Sequence, residues 1–192
     1  MAVLAERGAT TVLNARPFPD SGLIADVGGG KGTLLAAVLK AKPGLSGVVL
    51  DLPGVAARAA EALQEAGLEG RARALGGDMF AAVPAGAELY LLKSVLHDWD
   101  DARAGAILAS CRAAMTQPGA RLLVIERVMP ELMTPEPAAL AQAVSDVMML
   151  TRAGGRERTE AEFRALLAGV GLRLLQVLPT ASHYAVLEAA AS

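Results

Sequence analysis

The stretch "GLIADVGGGKGTLLAAVLKAKP", Gly22 to Pro43, decides the fold. It opens as a short apolar run, passes through a glycine-rich turn, and continues in a helical pattern that stops at Pro43. A strand that feeds a helix through such a turn is the opening unit of a parallel α/β sheet. Glycines 28, 30 and 32 fall in G-x-G-x-G spacing. Lacking Cβ atoms, they let a ligand lie against the backbone and permit positive φ. The helix N-terminus behind them offers free N–H groups. Two phosphate-binding spacings are not met. A P-loop needs G-x-x-x-x-G-K-[ST], but Gly30-Lys31 is followed by Gly32, and Ala25 stands where the first glycine belongs. A dinucleotide turn wants G-x-G-x-x-G, and Thr33 occupies the third glycine position. Asp26, at the strand end, would repel a pyrophosphate and attract a cationic ligand.

Outward from this stretch the alternation repeats. "SGVVLDL" reads as a second strand and "PGVAARAAEALQEAG" as a second helix, with Pro53 at its start and Gly67 at its end, as helix boundaries prefer. "RARALGGD" reads as a short third strand, "AELYLLK" as a fourth, "DDARAGAILASCRAAM" as a helix and "ARLLVIERV" as a fifth strand. These apolar runs lack clean alternation, which suits strands covered by helices on both faces. The tail "LRLLQVLPTASHYAVLEA" reads as a hairpin. The expected fold is α/β: a Rossmann-like, doubly wound, mostly parallel sheet with a C-terminal antiparallel hairpin. Residues 1–20 are expected to form an N-terminal stub with a short helix, and residues 21–192 the main domain. "PAALAQAVSDVMMLTRAG" is a helix that is apolar almost all round. Such a helix is buried deeply or covered by another chain or domain.

The totals narrow the partners. Net charge is −2 with both signs interspersed and aromatics are only 3%, which argues against a nucleic-acid groove. The longest uncharged run, Leu174 to Leu187, is broken by Pro179 and is too short to span a bilayer. Glu6 and Arg7 come early with no long apolar run, so no signal peptide is expected. The single cysteine, Cys111, sits in a helical pattern. It excludes an internal disulfide, points to the reducing cytoplasm, and reads as packing. Two distant histidines and one cysteine make no metal constellation.

Acids recur at strand ends. Asp51 closes the second strand, where a carboxylate suits a ribose diol. Asp78 and Met79 follow the third, an acid and a soft apolar side chain that suit an adenine. Singly, Asp51 reads as a helix N-cap, Asp78 as a turn residue and Met79 as core. Together, acids at three successive strand ends are hard to explain by capping and favour a ligand. In "LLKSVLHDWDD", His97 stands at the end of the fourth strand. One reading is a polar helix start, with Asp100 and Asp101 as caps. The other is a base whose pKa lies near working pH. Glu126, in an apolar strand, needs a partner, and His97 is a candidate. Trp99 reads equally as core packing or ligand contact. Glu157, alone, reads as a surface charge between Arg156 and Arg158, and His183 as structural.

The ordered set "DVGGGKG", "VVLDLPGV", "GDMF", "LLKSVLHDWDD", "VIERV" and "GGRERTEAEF" resembles the class I S-adenosylmethionine-dependent methyltransferases. More narrowly, it resembles the O-methyltransferases of plant phenolics and bacterial aromatic polyketides. The resemblance runs from about Leu23 to the C-terminus and implies a seven-stranded sheet. It implies that Asp26, Gly28 and Gly30 line the methionine part of the cofactor, S-adenosyl-L-methionine, whose product is S-adenosyl-L-homocysteine. Asp51, with Leu52, would hold the ribose, and Asp78 and Met79 would frame the adenine, with Lys93 and Trp99 nearby. His97 would be the general base, assisted by Asp98 and flanked by Glu126 and Glu157. Met148 matches a substrate-contact position. The family carries a large N-terminal helical domain that dimerises and closes the pocket, and here only a stub precedes the first strand. The apolar helix around Met148 would then lose its cover, which implies self-association or a partner. Expected functions are methyl transfer to a phenolic hydroxyl of a small aromatic molecule, a different reaction with the same cofactor (hydroxylation or decarboxylation), or a cofactor-binding scaffold without chemistry.

Overall fold

The computed structural model describes residues 11–132, 134 and 137–192. Residues 1–10 of the expected stub lie outside the described residues, and residues 11–15 are helical. The chain then runs β1 (Gly22–Val27), α1 (Thr33–Ala41), β2 (Leu45–Asp51), α2 (Pro53–Glu65), β3 (Ala72–Gly76), β4 (Leu89–Lys93), a 3₁₀ turn (Leu96–Asp98), α3 (Asp101–Ala114) and β5 (Arg121–Glu126). It continues with β6 (Val128–Met129), α4 (Pro137–Ala153), β7 (Arg158–Thr159), α5 (Glu160–Ala168), β8 (Leu172–Pro179) and β9 (Ala185–Ala191).

The main sheet has seven strands in the order β3-β2-β1-β4-β5-β9-β8. The first five pair in parallel, and β9 runs antiparallel to both β5 and β8. The expected doubly wound sheet with an antiparallel end is therefore the observed one. Strand order reverses between β1 and β4, and the crevice beyond the carboxyl ends of those strands is where such sheets bind ligands.

Helices cover both faces, so each strand contributes alternate residues to two cores. Ala25, Val27, Tyr90, Leu92, Leu122 and Val124 face one core with Ile107 and Leu108 of α3 and Phe163 and Leu167 of α5. Ile24, Leu89, Leu91, Leu123 and Ile125 face the other with Leu35 and Leu39 of α1 and Leu63 of α2. This double burial is why the strands read as unbroken apolar runs.

One expected strand divides. "ARLLVIERV" becomes β5, ending at Glu126, and β6, which pairs in parallel with β7 in a separate two-stranded sheet. The ladder accounts for the break. β4 ends opposite Ile125 and β9 begins opposite Glu126, so the residues beyond have no main-sheet neighbour. The apolar helix α4 is exposed rather than deeply buried: Leu140, Val144, Val147, Met148 and Leu150 all face outward.

Candidate active site

The crevice is lined first by the glycine turn. Gly28, Gly30 and Gly32 have φ of 67°, 59° and 73°, a region other L-residues avoid. A Cβ on Gly28 would lie 2.8 Å from Val95 Cγ2, while the space over Gly30 is open for at least 4 Å. The turn is held by Asp51. Its Oδ2 accepts from Gly30 N at 2.8 Å and its Oδ1 from Leu52 N at 2.8 Å. The N-cap of α2 is Leu52, without a side-chain cap bond, so Asp51 is not a helix cap. Each of its oxygens keeps a second lone pair for a ligand hydroxyl.

Asp51, Leu52, Asp78, Met79 and Trp99 line one cavity of about 340 Å³ together with Gly28. Asp78 Oδ1 accepts from Phe80 N at 2.9 Å, which makes it a turn residue as well. Trp99 packs edge-on against Phe80, with 5.0 Å between ring centroids, and lies under the Arg103 guanidinium at 4.5 Å. Its packing and cavity-lining roles coexist. Gly28 also borders a second space, of about 220 Å³, lined by Asp26, Gly30 and Lys93. The Asp26 side chain is 1% exposed, and neither of its oxygens has a hydrogen-bond partner. Burial pushes its carboxyl up to about 7, against the pull of the Lys93 charge.

His97 occupies the 3₁₀ turn after β4. The backbone reaches it through Ser94, a non-glycine residue at φ 55°, whose hydroxyl donates to the Tyr184 hydroxyl at 3.0 Å. Glu126 Oε1 accepts from the backbone N of Val95 and of Leu96, both at 2.9 Å, and more distantly from His97 N at 3.4 Å. Its other oxygen, Oε2, lies 3.2 Å from His97 Nδ1, and Glu157 Oε1 lies 3.8 Å from the same nitrogen. Both carboxylates are buried. Burial, reinforced by the Glu157 charge and opposed by His97 and the Val95 and Leu96 N–H groups, pushes Glu126 up to about 7. Asp98 stands at the opposite edge of the ring, its Oδ1 3.7 Å from Nε2, with a half-exposed side chain. The Nδ1 edge is thus shut in, and Nε2 is the nitrogen left to a reactant.

Folding therefore brings Asp26, Gly28, Gly30, Asp51, Leu52, Asp78, Met79, Lys93, Asp98 and Trp99 to one crevice, with His97, Glu126 and Glu157 beside it. Spacing along the chain gave no metal constellation. The one metal-like trio found among the described residues, with ligand atoms within 4.8 Å of one another, is His97, Glu126 and Glu157 itself. Met148 lines neither cavity and sits on the exposed face of α4. His183 is exposed, its ring tilted at 46° against that of Tyr184 with 4.2 Å between centroids. Cys111 is fully buried, its thiol pushed up to about 12 by burial.

Several residues escaped the sequence reading. Ser145 Oγ donates to Glu157 Oε1 at 2.8 Å, and Glu157 N donates to Asp146 Oδ1 at 2.8 Å. The adjacent polar pair Ser145-Asp146 in the middle of a mostly apolar helix was the available signal. Glu157, which alone reads as a surface charge, is buried at 4% exposure, and its neighbour Arg158, not singled out in the sequence, is 1% exposed. For Ser94 no sequence signal exists.

A sequence model of the O-methyltransferase domain matches residues 6–173. The chain is 46% identical over 175 residues to O-demethylpuromycin-O-methyltransferase of Streptomyces alboniger, covering 90% of this chain and 46% of that protein. Among solved structures it is similar to LaPhzM, with a TM-score of 0.92 and 39% identity, covering 100% of this chain and 56% of that one. It is also similar to NcsB1, an O-methyltransferase from neocarzinostatin biosynthesis solved with S-adenosylmethionine and 2-hydroxy-5-methyl naphthoic acid. There the TM-score is 0.87 with 39% identity, over 100% of this chain and 56% of that one. The chain spans about half the length of the relatives it matches.

Proposed function

The chain belongs to the O-methyltransferase domain family, and from that premise we propose that it transfers a methyl group from S-adenosylmethionine to a hydroxyl of a small aromatic or polyketide-like molecule. The hydroxyl is phenolic, and His97 is the general base. The observation that carries the reading is the ring of His97. Its Nδ1 faces the buried Glu126 carboxylate at 3.2 Å, next to a cavity whose walls suit an adenosine.

The residues present fit the cofactor. Asp26 is a buried carboxylate without a hydrogen-bond partner, which a cationic amino-acid group would satisfy. Open space over Gly30 admits a chain against the backbone. Asp51 is set to accept from ribose hydroxyls, and Asp78, Met79 and Trp99 to frame a base. When bound, the cofactor supplies a methyl group already activated by sulfonium charge.

The protein's remaining work is orientation and one proton. A phenol has a pKa of about 10, so its proton must leave as the bond forms. His97 Nε2 takes it. A proton on Nδ1 faces Glu126, with Glu157 behind, and their charge stabilises the imidazolium in the way a triad carboxylate does. Asp98, beside Nε2, adds to that field. No helix among the described residues is long and apolar enough to cross a membrane. Cytoplasmic placement is part of the proposal, supported by a lone, buried thiol. Self-association through the open face of α4 is another part.

Calorimetric titration with S-adenosylmethionine, followed by a transfer assay over a panel of phenols and aromatic amines, tests the reading. His97→Ala should bind cofactor as the parent does while turnover falls by about 10²–10⁴-fold. Near-normal turnover in that variant removes the base. Binding without transfer across the panel favours other chemistry on the same cofactor, or a scaffold.

A further inference from the structure

We propose that Arg158 is a positioning residue for His97, holding the 3₁₀ turn that presents the imidazole. The proposal rests on the reading of His97 as the base. The guanidinium is 1% exposed, and its bonds converge on that turn. Nη1 donates to the Leu96 carbonyl at 2.9 Å and Nη2 to the Trp99 carbonyl at 2.8 Å. These two carbonyls bracket His97 and Asp98. Nε donates to Asp101 Oδ1 at 2.9 Å, on the first residue of α3. One planar cation thus ties together the start of the turn, its end and the helix that follows. A guanidinium is always charged and presents its donors in a fixed fork, so it constrains direction as well as distance.

The backbone before Arg158 is fitted to the same turn. A Cβ on Gly155 would lie 2.1 Å from the His97 carbonyl oxygen and 2.6 Å from Trp99 N. Only glycine admits this approach. The two-stranded sheet completes the arrangement, because Val128 pairs with Arg158. The segment leaving Glu126 is thereby registered against the segment that carries Glu157 and Arg158. Both carboxylates at Nδ1 and the cation beneath the turn share one small scaffold. The charged groups around the imidazole are Asp98, Glu126 and Glu157, with the Arg158 charge met by Asp101.

The chain has two histidines, so ¹⁵N-histidine NMR reads the ring of His97 directly, with His183 as internal control. In Arg158→Lys the His97 ring signals should shift and broaden, while those of His183 stay. An ammonium cannot serve carbonyls at both ends of the turn, so lysine should not rescue. Turnover should fall about 10–100-fold, the scale of a misplaced reacting group, with the KM for cofactor within about twofold. Asp101→Asn is the companion, because Asp101 is 59% exposed and its loss should spare folding. It should move the His97 signals in the same direction, by less. If Arg158→Lys does not fold, Asp101→Asn decides alone. Unchanged His97 signals and an unchanged pH–rate profile overturn the proposal. Signals that move in both variants while the parent itself shows no transfer sink the functional reading and leave the hold on the ring standing.

Discussion

Asp26 and Glu126 are carboxylates that folding makes harder to ionise. Burial is the main cause for each, and each is pushed up to about 7. Between the ordinary carboxylate range and about 7, the folded chain holds protons that the unfolded chain has released. Their contribution to stability is therefore fully present at low pH and is lost as pH rises through about 7. Asp26 lines the crevice and Glu126 lies beside it, and groups held away from their natural charge state at such places are often functional. For Asp26 a further effect opposes this one. A cationic ligand beside it favours the ionised form, so cofactor binding should expel a proton below about pH 7. Asp26→Asn, which removes the charge and keeps the shape, should melt a few degrees higher than the parent at pH 8, with the gap closing toward pH 5. It should also bind S-adenosylmethionine more weakly, with an affinity that no longer falls as pH drops through about 7. Calorimetry in buffers of different ionisation enthalpy reads the proton, and thermal melts read the stability. Equal proton release in parent and variant would show that Asp26 does not face the ligand's charge.

At the scale of elements, α2 and α4 make a pair in what a sequence can show. The boundaries of α2 could be read from Pro53 and Gly67, and the helix lies between them. The existence of α4 could be read too, but not its setting, because a stripe that goes all round has no inward side. β6 and β7 could not be read at all: two residues have no period, and their pairing depends on where the main ladder stops. Yet α4 contributes Ser145 and Asp146 to Glu157, and β7 contributes Arg158 to the turn. The least legible elements are the ones that build the surroundings of His97. The outward side of α4 presents Val147 and Leu150, at 58% and 65% exposure. Apolar residues so grouped mark contact surfaces. Light scattering at high protein concentration should show association in the parent and less of it after Val147→Lys and Leu150→Lys together. The melting temperature should barely move, since exposed positions contribute little to the core. A clean monomer in the parent would mean that this face is tolerated bare.

For the whole molecule, the switch point between β1 and β4 divides the site into two halves of different legibility. The proposed cofactor half is built where successive strands end, so the residues lining its cavities come in chain order and in short motifs: Asp26 with the glycines, Asp51, then Asp78 and Met79. The proposed catalytic half gathers residues 97, 126 and 157 from separate segments: the need of a buried carboxylate for a partner pointed from Glu126 to His97, and only the resemblance added Glu157 before the fold did. The two halves should also respond differently to ligands. The cofactor half has walls: two adjoining cavities floored by the sheet edge and the glycine turn. A ligand that binds only the folded chain stabilises it by about 2.7 kcal/mol at a hundred times its Kd. For a domain of this size that is roughly a 5–10 °C rise in melting temperature. S-adenosylhomocysteine at that excess should produce the rise, and should do so equally in His97→Ala, because His97 lines neither cavity. An aromatic acceptor alone should produce almost none, since the ground around His97 is bordered by a helix whose apolar side faces outward, and little of a small ring would be buried there. The acceptor should add to the shift only when the product cofactor is already in place and supplies the missing wall. A thermal-shift series with each ligand alone and both together reads the order directly. A larger rise from the phenol than from S-adenosylhomocysteine would put the principal binding surface outside the crevice that the strand order defines.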